Sequence, residues 1–418
     1  MPEPKPPPMS HPVGVLHDIR WNEICPWLIL VRSLRVALLV RVLLLAWAGV
    51  LLTQLGWSAV DRFFLEDSVS EDLAFAPWAP LERMTERFPS GSILDFSDRP
   101  WQRENPLTRA WKWLSQPFIR IATGQAPWRH GLALLCSATW SIAIWALFGG
   151  AISRIAALHL TRGETLGMGG ALRASATAMS GTVGAPLIAL AATAGLCVPL
   201  ALAGALIRLD SMALIVGLAW GLILIFGLML AVVLIGLFLG WPLMWATLAV
   251  ERSDAFDAVS RCYAYVYQRP LHLAFYLLVG AFLGVLGELV VDCFVTTSVH
   301  LAEWAVSWGA GAPRTAELAT RTPAEIVSSE GGAAVSLTGI ALTGAKAIHC
   351  WKWAWMAVAA SYPVAYLWSA AVGIYLLLRR QVDSTEMTEV KLTQGEPFQG
   401  LPDLTNNAAG LPQVQRTS

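Results

Sequence analysis

Two carboxylates one helical turn apart, Glu288 and Asp292, stand in an otherwise apolar stretch, GELVVDC. Ionisable groups are costly to hold in hydrocarbon, so this pair is the first place to look for an ion or proton path. At ~1.5 Å per residue from Leu271, Glu288 lies at ~25 Å and Asp292 at ~30 Å along a helix. That is the far end of a bilayer crossing, where acids can also simply reach water. A second polar set, Asp254, Asp257, Arg261 and Gln268, falls on one face of an amphipathic segment. Asp257 and Arg261 have i,i+4 spacing, Ser253 fits an N-cap, and Pro270 enforces the stop. Ala255, Phe256, Val259, Cys262, Tyr263, Val266 and Tyr267 make the apolar face. Such a helix is a docking surface, or it simply tiles the inner leaflet.

The remaining reactive side chains fit no catalytic pattern. HExxH, GxxxxGK[ST] and GxSxG are all missing, and the six cysteines include no CxxC pair. The chain is therefore read as non-enzymatic, with no catalytic, cofactor or metal residues. His130, His300, His349, Cys350, Asp292 and Cys293 fall near one membrane face in the expected topology, but without metal-site spacing. A Cys293–Cys350 disulfide is the alternative use of that group if the face is extracytoplasmic. Zero net charge provides no basic field for nucleic acid.

Composition sets what must position these residues. The 418 residues are 56% hydrophobic and 14% charged, against roughly 25% charge in ordinary globular chains. Residues 211–250 pass without one ionisable side chain, about twice the length that crosses a bilayer core. The expected fold is all-α: a polytopic transmembrane helical bundle of about six spans, with interfacial amphipathic helices. Residues 1–33 form a cytoplasmic tail and 34–57 the first span. Residues 58–130 are an extracytoplasmic loop carrying an interfacial helix near 106–121. Residues 131–380 are the bundle, and 381–418 a disordered cytoplasmic tail. Within the bundle the spans fall near 131–157, 183–207, 211–250, 271–300 and 355–378, with cytoplasmic linkers at 158–182 and 251–270, and surface or re-entrant structure at 302–350. A kink or break is expected at Gly240-Trp241-Pro242, because Pro242 cannot donate to the helix ladder. Twenty tryptophans suit membrane–water interfaces. Gly217/Gly221, Gly236/Gly240 and Gly280/Gly284 have the spacing that lets helices approach closely. Arginines near span ends, among them Arg32, Arg35, Arg154, Arg162, Arg252, Arg379 and Arg380, put both termini in the cytoplasm.

The two linkers share a texture. Thr161-Arg162-Gly163-Glu164 and Ala171-Leu172-Arg173-Ala174-Ser175 parallel Glu251-Arg252-Ser253-Asp254 and Ala258-Val259-Ser260-Arg261-Cys262. This fits a duplicated helix–linker–helix unit, or chance similarity between Ala-rich linkers. The run from Glu251 to Ala258, with Arg261, Tyr265 and Gln268-Arg269-Pro270, resembles a segment recurring in bacterial multipass membrane proteins that have no assigned activity. The close of the last span, Ile374-Tyr375 to Arg379-Arg380, then Val382-Asp383 and Glu386-Met387, resembles the same family. The resemblance implies a bacterial inner-membrane location and no particular chemistry. Two functions fit: a non-catalytic component partnering the bilayer and other membrane proteins or itself, or a transporter or channel for a small solute or lipid using Glu288 and Asp292. A water-accessible crevice at Glu288 separates them.

Overall fold

The computed structural model describes residues 25–64, 105–123, 128–320 and 339–391, and two short strands beyond them. Most of the expected N-terminal tail, residues 65–104 of the long loop and residues 321–338 lie outside the described residues. Six helical stretches are long and apolar enough to cross a bilayer.

The chain opens on an amphipathic helix, α1 (Ile29–Ala37), then turns at Leu38 into α2 (Val40–Phe64). The first crossing thus starts later than expected, because 29–37 forms a separate helix whose Ile29, Leu30, Val36 and Ala37 are buried. α3 (Pro106–Thr123) is started by Asn105, whose Oδ1 accepts from Leu107 N at 2.9 Å. It was expected on the membrane surface, yet Leu107, Ala110 and Leu114 are buried against the bundle. α4 (Trp128–Arg162), the short α5 (Met168–Thr177) and α6 (Met179–Leu206) follow. α7 (Asp210–Leu218), α8 (Trp220–Glu251), α9 (Ala255–Gln268) and the 41-residue α10 (Pro270–Ala310) come next. α11 (Gly339–Ala360) and α12 (Tyr362–Val382) form the last crossing stretch, joined at Ser361. Residues 302–310 and 339–350, expected as surface or re-entrant structure, extend α10 and α11 instead. Leu404–Asn406 and Pro412–Val414 pair antiparallel.

Everything is wrapped around α12. Every residue from Tyr362 to Arg379 is buried, so the last crossing is the core of the bundle. Its Trp368 stacks on Trp245 at 4.5 Å and on Trp145 at 6.3 Å, and meets Trp241 edge-on at 5.6 Å. Trp145 continues the contact to Trp113, and Trp113 to Trp57. These six tryptophans tie α2, α3, α4, α8 and α12 together through offset and edge-to-face packing. Trp57, Trp145, Trp245 and Trp368 are buried, and Trp113 and Trp241 are partly buried against them. By contrast α6 and the first half of α8, which pack on one another, have windows only 6% buried and project as an apolar arm.

The uncharged run 211–250 divides at Ala219 and not at Pro242. The reason lies in what each proline leaves behind. Pro242 deprives the Phe238 carbonyl of its i+4 donor, and Trp111 of α3 donates to that oxygen at 3.1 Å. Pro186 does the same to the Thr182 carbonyl, and Trp245 donates there at 2.7 Å. Both freed carbonyls gain an indole N–H, as hydrocarbon surroundings require, and both helices run on through their prolines. Of the three glycine pairs, Gly236/Gly240 are filled by Tyr263 and Cys262, and Gly284 by Tyr366. Gly217 and Gly221 instead flank the Ala219 break and face open space, so they form no notch on one helix.

Replacing Trp245 with Phe should destabilise the protein by about 1 kcal/mol through the orphaned Thr182 carbonyl. In a Pro186→Ala background, where the helix supplies its own donor, the same change should cost distinctly less. Denaturation of the four proteins in detergent checks the coupling, and equal losses in both backgrounds would contradict it.

Candidate functional site: a charged clasp at one end of the bundle

Glu251 ends α8 and is buried, with 7% of its side chain exposed. Arg379 Nε lies 2.7 Å from its Oε1, and Tyr375 donates to the same oxygen at 3.1 Å. Arg261, reaching across from α9, stands 3.7 Å away and forms close bonds of 2.9 and 3.0 Å with Asp257. Its Nη1 is also 3.7 Å from Asp383, which accepts a hydrogen bond from Tyr265. Burial and the Asp383 carboxylate both raise the Tyr265 phenol above its ordinary pKa, so it remains a donor. The bond to Asp257 raises the Arg261 guanidinium further above its already high value.

The residues after α12 close this cluster. Arg379 Nη1 donates to the Glu389 carbonyl at 2.8 Å, and Lys391 N donates to the Val250 carbonyl at 3.0 Å. Arg154, 1% exposed on α4, donates to the Ala249 carbonyl at 2.6 Å and to the Lys391 carbonyl at 2.7 Å. Val390 is buried beside them. The expectation of a disordered tail from residue 381 is therefore corrected for 381–391, which the arginines fasten to the bundle.

The expected docking helix is present as α9, but Asp257 and Arg261 are paired within the chain. Asp254, not Ser253, is the N-cap, accepting from Asp257 N at 3.1 Å. Asp257 and Arg261 pair as their spacing implies, and Arg261 is committed to Glu251 and Asp383 as well. Gln268 is exposed at the helix end. Ala258, Cys262, Tyr265 and Val266 form the buried face, whereas Phe256, expected on the apolar face, is 70% exposed. Cys262 donates to the Gly240 carbonyl at 2.9 Å, Tyr263 to Val233 at 2.8 Å, and Tyr267 to Val232. These contacts descend α8 as α9 advances, so α9 folds back along α8.

The first linker does the same. α5 folds back on α4, and Ser175 donates to the Ala146 carbonyl at 2.8 Å. A Cβ at Gly150 would fall 2.3 Å from Ser175 Oγ, and one at Gly240 would fall 2.4 Å from Cys262 Sγ. Each long helix ends in a left-handed residue, Gly163 (φ 70°) and Arg252 (φ 54°). The shared sequence texture thus has a shared geometry: a long helix, a left-handed turn, and a short helix hydrogen-bonded back to a glycine notch. Arg252 also joins the two linkers, donating to the Ala174 carbonyl at 2.8 Å.

Glu288 is buried on α10 and ion-paired with Arg109 of α3, in a region closed by Tyr362 donating to the Gly284 carbonyl and Asn105 to the Ala281 carbonyl. Asp292 is part-buried one turn further on. Among the described residues no three His, Cys, Asp or Glu side chains converge, and Cys293 and Cys350 are both free thiols. Sequence reading took Arg154 and Arg379 as markers of span ends, Glu251 as the opening of the second linker, and Asp383 only as part of the family resemblance. The clue to their other role is Arg154, a guanidinium flanked on both sides by apolar residues.

Glu251→Ala should lower the unfolding free energy by about 3 kcal/mol, because Arg379 is left buried without its carboxylate. Tyr375→Phe should cost about 1 kcal/mol. Chemical denaturation in detergent measures both, and a Glu251→Ala loss no larger than that of Tyr375→Phe would contradict the clasp. No family model matches the chain, and neither the curated proteins nor the solved structures return a match.

Proposed function

We propose that this is a non-catalytic multi-pass protein of the cell membrane, with cytoplasmic termini, that organises or partners other membrane proteins. The observation that carries the reading is where the charge goes. Glu288 is taken up by Arg109, and Arg261 by Asp257, Glu251 and Asp383. Glu288, Asp257 and Arg261, the charges on which a transport path or a charged docking face would centre, are engaged within the chain. The packed core around α12 then serves to hold, and the surface left for association is the apolar arm of α6, α7 and the first half of α8. Leu214, Leu218, Leu222 and Leu228 are each more than half exposed there. In lipid a partner helix would compete for such a surface by close van der Waals packing.

Two measurements test this. Glu288→Gln should destabilise the protein by about 2 kcal/mol, since Arg109 loses its partner, and adding Arg109→Gln should recover part of that. A carboxylate held for transport would behave oppositely, with neutralisation leaving stability unchanged or raising it. Photoreactive side chains at positions 214, 218, 222 and 228 should give protein adducts from one face of the arm. Lipid adducts alone at all four positions would remove the partnering role.

A further inference from the structure

The chain treats its arginines in two ways. Arg154, Arg252, Arg261 and Arg379 are each matched to carbonyls or carboxylates of their own chain. Arg32, Arg35 and Arg41 are not: among the described residues their side chains take part in no hydrogen bond or ion pair. Arg41 Nε is buried with no acceptor at all.

The fold brings these three together. α1 turns its apolar face into the bundle and leaves Arg32 and Arg35 exposed. α2 then runs antiparallel along α4: Trp57 donates to Ser141 Oγ at 2.9 Å, and Gly49 lies against Trp145 and Phe148. Continuing that register sets Arg41 beside the last turns of α4, where His159 lies. α1 packs against α4 as well, which brings Arg32 and Arg35 to the same locality, within electrostatic reach of the His159 imidazole. His159 Nδ1 is also buried without a partner. The carboxylate nearest in sequence, Glu164, is turned toward Arg162 at 3.8 Å.

Three guanidiniums and two buried nitrogens without a partner among the described residues suit an anion with several acceptor oxygens, which is what phosphate offers arginine. The surroundings select its source. Val40 is 71% exposed and Leu44 37% exposed on the same stretch of α2, an apolar strip beside the cations on which acyl chains can lie. We propose that Arg32, Arg35, Arg41 and His159 form a site for the phosphate of an anionic phospholipid, with the acyl chains along Val40 and Leu44. Basic pockets between membrane helices take lipid headgroups by this electrostatic logic. The site uses none of the residues of the clasp or the arm, and it stands whether or not the partnering role does.

Native mass spectrometry of the full chain, released from mixed phosphatidylcholine–phosphatidylglycerol vesicles, counts the lipid that is retained. The wild type should retain phosphatidylglycerol in preference, and the triple variant R32Q/R35Q/R41Q should retain about tenfold less or lower still. Arg208→Gln, an exposed arginine on another turn, should change nothing. Because Arg41 is part-buried, the triple lysine variant is measured alongside. Retention with lysine and loss with glutamine support the site, whereas loss in both or in neither overturns it. Inorganic phosphate fixes the source. A thermal shift from phosphate in phosphatidylcholine vesicles as large as that from phosphatidylglycerol would overturn the lipid as ligand, and a smaller one supports it.

Discussion

A carboxylate buried at the end of a membrane helix must be neutralised, and Glu251 sets much of the architecture through that requirement. Desolvating it is tolerable only because a guanidinium and a phenol converge on the same oxygen. Those partners come from α12, so the pair fixes α8 against the central helix. Arg261 brings in α9, Asp383 and Glu389 bring in the segment after α12, and Arg154 brings in α4. Glu251 and its arginine partners thus join α8, α9, α12 and the segment after it, and Arg154 ties α4 to the same end through the Ala249 and Lys391 carbonyls. Away from that end, the Glu288–Arg109 pair fixes α10 against α3, and the rest of the core is largely apolar and aromatic.

Backbone satisfaction supplies the second constraint, through the same helices. Pro186 in α6 and Pro242 in α8 each free a carbonyl, and indole donors from α8 and α3 meet these two. Trp245 serves twice, capping Thr182 and stacking on Trp368. The hydrogen-bond requirement and the aromatic core therefore specify the same packing, the kind of agreement between levels that gives a unique fold. The folded-back α5 and α9 extend this by covering glycine notches with Ser175 and Cys262, so short helices that leaflet tiling would place outside become part of the interior.

Hydropathy and length made the six crossings legible, because an apolar helix of bilayer length has few alternatives. The i,i+4 pair Asp257–Arg261 was legible for the same local reason. What could not be read were the long-range partners. Pro242 announces a weak point, yet whether the helix breaks there depends on Trp111, over a hundred residues away. Phe256 follows the apolar period of its helix and still faces outward, since the fold-back rotates α9 so that Tyr265 points in. Arg379 reads as a stop signal at a membrane edge until Glu251 is seen opposite it. Composition suits the tryptophans to interfaces, yet Trp145, Trp241 and Trp245 meet Trp368 of α12 inside the bundle.

The claim on which the account rests is that the chain closes its charges on itself, with the segment after α12 as part of the core. Hydrogen exchange of the amides from Asp383 to Lys391 in the lipid-reconstituted protein tests it most directly. Lys391 N, bonded to the Val250 carbonyl, should exchange slowly along with the end of α12. Exchange of that stretch at the rate of a free peptide would contradict the clasp and the architecture drawn from it.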